Sequence, residues 1–132
     1  MRATARRNDG LAHAVEVDGH NLVVDEPLDA GGTDSAPSPT RLLAASLASC
    51  TAITIAMYAD RKEWDTTGLA VDVDFEGAPA PGDPAHFDVS VTLPPGLDEE
   101  QRRRIMVVAA KCPVHRILAS ESEIELTERS AG

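Results

Sequence analysis

The sequence predicts an α+β fold in a single domain, residues 1–132. Three observations predict it. Short alternating segments come in hairpin-like pairs, without the regular strand-helix-strand alternation of a doubly wound sheet. One uncharged run, Leu42 to Ala59, is long enough for a helix that crosses a domain. At 132 residues the chain builds one hydrophobic core and does not split. That core must be aliphatic, because 42% of residues are hydrophobic and only 3% aromatic.

Each element follows from local pattern. Ala12, Ala14, Glu16 and Asp18 fall on one parity and His13, Val15 and Val17 on the other. Asp18-Gly19 is a hairpin turn signal, and His20 to Val24 is the return strand. Asp29 to Pro39 is rich in Gly, Ser, Asp and Pro, hence a loop. Ser38 then serves as N-cap and Pro39 as first residue of a helix ending near Tyr58 or Arg61. After the break at Thr66-Thr67-Gly68, Leu69, Val71, Val73 and Phe75 alternate with Ala70, Asp72 and Asp74 as a half-buried strand. Gly77 to Pro84 is a loop, and Phe87, Val89, Val91 and Leu93 mark a second such strand.

Asp98 followed by Gln101 reads as a capping box opening a helix to about Ala110. Pro113 cannot sit inside that helix, so a short one starts there and runs to Ala119. Ser122 to Thr127 is expected to close the chain as a strand with Ile124 and Leu126 inward.

Charge narrows the partners. Twelve Lys and Arg against 22 Asp and Glu leave a net charge of −10, which repels phosphate backbones and anionic lipid. Neither nucleic acid nor a membrane surface is expected as a partner. The run Leu42 to Ala59 touches the lower length limit for a spanning helix. Its Ser46, Ser49, Thr51 and Thr54, with many alanines, argue instead for a helix buried all round in a soluble fold. Met1 to Gly10 is polar and charged, so no secretory leader is expected and a reducing cytosol is the expected compartment.

Two cysteines carry the possible chemistry. Cys50 lies on the long helix with Leu43, Leu47, Thr54 and Met57 by helical spacing. A thiol on such a face is most often a small core hydrophobe. Cys112 precedes Pro113 and so occupies the N-cap of the short helix, where the macrodipole and free N–H groups favour a thiolate. A capping cysteine without redox role satisfies the same pattern. Cys112 and His115 are spaced to share a metal, but a zinc site needs three or four ligands, and His13, His20 and His86 are scattered. No metal is expected. No phosphate cradle, nucleophile elbow or nucleotide fingerprint is present.

Several segments together resemble one family. They are Asp25-Glu26-Pro27, Gly31-Gly32-Thr33-Asp34, the run Pro37-Ser38-Pro39-Thr40-Arg41-Leu42-Leu43-Ala44-Ala45-Ser46-Leu47-Ala48-Ser49-Cys50-Thr51, and Lys111-Cys112-Pro113-Val114-His115-Arg116. In order and over nearly the whole chain they look like the OsmC/Ohr family of osmotically inducible and organic hydroperoxide resistance proteins. The resemblance implies an OsmC-like fold, antiparallel sheets around a long buried central helix, in an intertwined homodimer. It implies a thiol peroxidase acting on organic hydroperoxides without cofactor, with Cys50 as nucleophile and Cys112 as resolving thiol. An external dithiol, lipoyl-type or another small thiol, would reduce the resulting Cys50–Cys112 disulfide. The family's arginine, which lowers the thiolate pKa and orients the peroxide, maps best to Arg7, with Arg6 as second choice. Leu43, Leu47 and Met57 are the expected apolar lining for substrate. One departure stands out: where organic hydroperoxide reductases of the family carry glutamate ten residues before the nucleophile, this chain has Thr40. Asp34 and Glu26 are the carboxylates available in its place. A non-catalytic protein that binds an apolar ligand or senses redox state is the other reading.

Overall fold

The computed structural model describes residues 1–131. They form two compact units: Met1–Ala48 with Asp72–Ser90, and Ser49–Val71 with the residues from Val91 on.

The first unit begins with a three-stranded antiparallel sheet, β1 (Ala3–Arg7), β2 (His13–Val17) and β3 (His20–Val24), in that order. The β2–β3 register pairs Val17 with His20, which leaves Asp18 and Gly19 as a two-residue turn with φ of 46° and 88°. Both values are left-handed, as the turn matching right-handed strand twist requires. His13, Val15 and Val17 face inward while Ala14 and Glu16 stay exposed, as their parity predicts. The polar N-terminus, where local pattern marks no strand, supplies β1. Asn8-Asp9-Gly10 is the same kind of turn signal as Asp18-Gly19, and it folds Ala3–Arg7 back onto β2 with Arg7 opposite His13.

Behind β3 the chain turns about one carboxylate. Asp25 is buried and accepts the backbone N–H groups of Glu26 (2.8 Å), Thr33 (3.2 Å) and Ser35 (3.1 Å). The hydroxyls of Thr33 (2.8 Å) and Ser35 (2.7 Å) donate to it as well. These bonds, led by the Ser35 hydroxyl, hold the Asp25 carboxyl far below the usual carboxylate range. A single short 3-10 turn, Leu28–Ala30, interrupts the loop, and Gly31 ends it in the left-handed region. Gly32 is required by close approach: a Cβ there would collide with the Glu26 carbonyl and lie 2.8 Å from Asp25 Oδ1.

Helix α1 (Pro39–Arg61) starts where Ser38 and Pro39 place it, with the Arg41 N–H directed at Ser38 Oγ (3.4 Å). It stops after Arg61, where Glu63 adopts φ 59° and the Trp64 N–H returns to the Ala59 carbonyl at 2.9 Å. This left-handed stop usually falls to glycine. Along α1 the buried residues Leu47, Thr51, Ile55 and Ala59 repeat every four positions and make one stripe. The helix is therefore not buried all round within one chain. Only 22% of its most apolar stretch is buried, and Leu43, Ile53 and Met57 stay open. By length and composition alone α1 is also long and apolar enough to cross a membrane.

Strands β4 (Ala70–Phe75) and β5 (Phe87–Thr92) pair with each other, and Phe75 stacks on Phe87 with ring centroids 4.3 Å apart. Helix α2 (Glu99–Ala109) opens with the expected reciprocal capping box between Asp98 and Gln101. In the second unit Ile55, Leu97, Ile105 and Ala109 form the core, with Tyr58, Trp64, Leu69, Val91 and Leu93 packed against it. Helix α3 (Pro113–Leu118) follows.

The strand expected at Ser122–Thr127 is not formed. Residues 121–131 carry no regular structure, and Ile124 and Leu126 are 88% and 98% exposed. Alternation marks which side chains would face a core, but a strand exists only beside an edge that accepts its hydrogen bonds. Among the described residues no strand edge pairs with it.

Candidate active site

The second unit brings the two cysteines together. Cys50 projects from α1 and is half-buried, whereas Cys112, at the start of α3, is fully buried. Both are free thiols, and Thr51, the neighbour of Cys50 on α1, reaches Cys112.

Local sequence explains how Cys112 is held. Pro113 fixes the first helical residue and lacks an N–H, so the next free donors of α3 point back at the residue before it. The His115 N–H donates to Cys112 Sγ at 3.2 Å, closing the cap. From α1 the buried hydroxyl of Thr51 donates to the same sulfur at 3.8 Å. Burial alone would raise the Cys112 pKa, but the donors overcome it. The His115 N–H, the Cys50 thiol, the Thr51 hydroxyl and the Val114 N–H together leave it below the ordinary thiol value. The thiol that the helix-terminus argument singles out is thus the more acidic of the two.

Cys50 has the opposite balance. Burial pushes its thiol up first, and the hydrogen bond it gives to Cys112 adds to that, against weaker opposition from the Val114 N–H and Thr54. The pair is therefore asymmetric twice over. The more accessible thiol is shifted up and the buried one down. Helical spacing puts Thr54 on the face of Cys50, but it does not point to Thr51 or the Val114 N–H. The N-cap pattern of Cys112-Pro113 signals the N–H donors, whereas nothing local marks Thr51 as a partner of a residue 61 positions away.

The other expected site residues lie as follows. Leu47 belongs to the buried stripe of α1, while Leu43 and Met57 are open. Arg7 ends β1, and its Nε donates to the Gly10 carbonyl at 2.9 Å, so the turn holds it. Arg6 is exposed on the same strand. Thr40 lines a cavity of about 430 Å³ in the first unit, shared with Glu26, Arg41 and Glu76. Of the two carboxylates available in place of the family glutamate, Glu26 thus shares a cavity with Thr40, and Asp34 lies 3.9 Å from Arg41 on the surface. Among the described residues no three His, Cys, Asp or Glu side chains converge as a metal site.

The profile of the OsmC family (OsmC-like protein) matches residues 32–127. No curated protein matches the chain. Among solved structures, a Psychrobacter arcticus protein provisionally described as an osmotic stress induced and detoxification response protein is similar at 28% identity. Its TM-score is 0.74, over 86% of this chain and 85% of that one. An OsmC like protein from Mycoplasma pneumoniae gives 0.68 at 21% identity, over 89% and 86%. A Legionella pneumophila protein named as organic hydroperoxide resistance protein OsmC gives 0.63 at 24% identity, over 87% and 85%. These structures share the α+β fold with antiparallel sheets and a long central helix. The matched span takes in both cysteines and the Gly32–Ser35 segment that binds the Asp25 carboxylate, and this chain belongs to the OsmC-like protein family.

Proposed function

We propose that this chain is a cysteine-based peroxidase that reduces organic hydroperoxides to alcohols. One observation carries the reading: a half-buried thiol on α1 lies next to Thr51, whose hydroxyl donates to a buried second sulfur that also accepts the His115 N–H. The family, which includes organic hydroperoxide reductases, supports it.

The Cys50 sulfur attacks the terminal peroxide oxygen, the O–O bond breaks, and the alcohol leaves from a Cys50 sulfenic acid. Cys112 then attacks the sulfenic sulfur, and water departs as the Cys50–Cys112 disulfide forms. An external dithiol, lipoyl-type or small, restores both thiols. Arg7 is the arginine we assign to orient the peroxide, and Leu43, Leu47 and Met57 are the aliphatic side chains we assign to the alkyl group. The reducing cytosol we propose as its compartment keeps the resting pair reduced.

Thiol-state mass spectrometry tests the reading. One equivalent of cumene hydroperoxide is expected to remove two hydrogens within seconds, mapped to a Cys50–Cys112 bridge, and faster than hydrogen peroxide does. An unchanged mass over minutes would leave the fold with a binding role only.

We also propose that the working form is a homodimer. The open apolar side of α1, with Ile53 and Met57 each more than half exposed, supports a second copy as its cover. Light scattering at micromolar concentration is expected to give twice the 14.0 kDa chain mass, and a monomer there contradicts the proposal.

A further inference from the structure

We propose that Thr51 is a positioning residue for the second step, its hydroxyl holding the Cys112 sulfur against α1 at the residue next to Cys50, so that the disulfide closes quickly. This deepens the peroxidase reading and rests on it.

The buried stripe of α1 carries the argument. Leu47, Ile55 and Ala59 are apolar, and Thr51, 2% exposed, brings a hydroxyl into their row. A hydroxyl taken out of water costs free energy until it finds a partner, and a valine of the same shape would avoid that cost. The partner here is the Cys112 sulfur, reached at 3.8 Å from a residue 61 positions away. Sulfur is a weak acceptor, so the bond returns little stability. What it fixes is a location. Cys112 is 0% exposed and its sulfur is held from two elements. The His115 N–H, at 3.2 Å, belongs to the same helix that Cys112 caps, and it would hold wherever α3 lay. The Thr51 hydroxyl ties that sulfur to α1.

That tie bears on the resolving step. The Cys112 sulfur attacks the sulfenic sulfur of Cys50, the Cys50 S–O bond breaks, and the S–S bond forms. The leaving hydroxyl takes the Cys112 proton and departs as water. Cys112 is oxidised and the sulfenic sulfur reduced, with no further reagent. Disulfide closure tolerates only a narrow range of Cβ separations and torsions, so a nucleophile already held near that geometry gains rate. The competing fate of the sulfenic acid is a second hydroperoxide, which converts it to sulfinic acid and releases another alcohol. Thr51 thus biases the partition between disulfide and sulfinic acid, acting through Cys112 without touching the peroxide.

The test separates the two steps in single turnovers with one equivalent of cumene hydroperoxide at pH 7. Dimedone trapping follows Cys50 sulfenic acid, and intact mass follows loss of two hydrogens as the disulfide closes. Thr51→Val is expected to form sulfenic acid within about twofold of the wild-type rate and to close the disulfide at least about tenfold more slowly. Thr51→Ser keeps the hydroxyl and should close within about threefold of wild type. With excess peroxide, Thr51→Val should accumulate Cys50 sulfinic acid at about a tenth of the concentration that wild type needs. Thr51→Ala also lacks the hydroxyl and gives the answer should Thr51→Val fail to fold. Closure at the wild-type rate without the hydroxyl, equal slowing of both steps, or a Thr51→Ser variant as slow as Thr51→Val would overturn the positioning role alone. A wild type that forms neither sulfenic acid nor disulfide would sink the peroxidase reading together with it.

Discussion

The Cys50→Ser variant is expected to consume cumene hydroperoxide at least about a thousandfold more slowly than wild type, down to the rate of buffer and dithiol alone. A serine hydroxyl is nearly the same size as the thiol, so the fold should be unchanged. It neither ionises near neutral pH nor attacks a peroxide oxygen. Cys112 offers no substitute, because its sulfur is enclosed by α1 and α3. Peroxide loss in a dihydrolipoamide-coupled assay measures the effect. A variant that keeps the wild-type rate would remove Cys50 from the chemistry altogether.

The largest effect on stability is expected at Asp25. Asp25→Ala takes the acceptor from three N–H groups and two hydroxyls of one loop, and Tm should fall by about 5–10 °C at pH 7. The effect should depend on pH with a definite sign. The folded chain holds the Asp25 proton less tightly than the unfolded chain does, because the Ser35, Glu26 and Thr33 donors stabilise the charged carboxylate. The stabilisation is therefore complete above the unfolded value of 3.8 and is lost as pH falls below it toward the depressed folded value. Thermal melts of wild type and variant should differ fully at pH 5 and above and converge toward pH 2. Equal differences at both ends would mean that the carboxylate charge contributes nothing.

Much of this molecule is written locally. The parity of His13, Val15 and Val17, the Ser38-Pro39 start, the Asp98–Gln101 box and the Pro113 restart all reappear where their short-range rules put them. Each needs only neighbours within a turn. The misses are those in which a partner decides. Ala3–Arg7 is too polar to announce itself, and it becomes a strand because β2 offers an edge. Ile124 and Leu126 alternate correctly and still form none, since they pair with no neighbouring strand. The site divides the same way. Cys112 as a helix cap follows from Cys112-Pro113, and Asp25-Glu26-Pro27 with Gly31 to Asp34 stands out as a motif. That Glu26, Thr33 and Ser35 turn five donors onto the Asp25 carboxylate, and that Thr51 reaches Cys112, are facts of three-dimensional placement with no short-range signal.

The open side of α1 bears on more than geometry. If a second copy covers Leu43, Ile53 and Met57, those side chains leave water only when two chains meet. The free energy of the folded state then contains a mass-action part, and melting temperature rises with protein concentration. Abundance would set robustness as well as capacity. A cell that makes more of this protein under stress would obtain molecules that are individually harder to unfold, with no change in sequence.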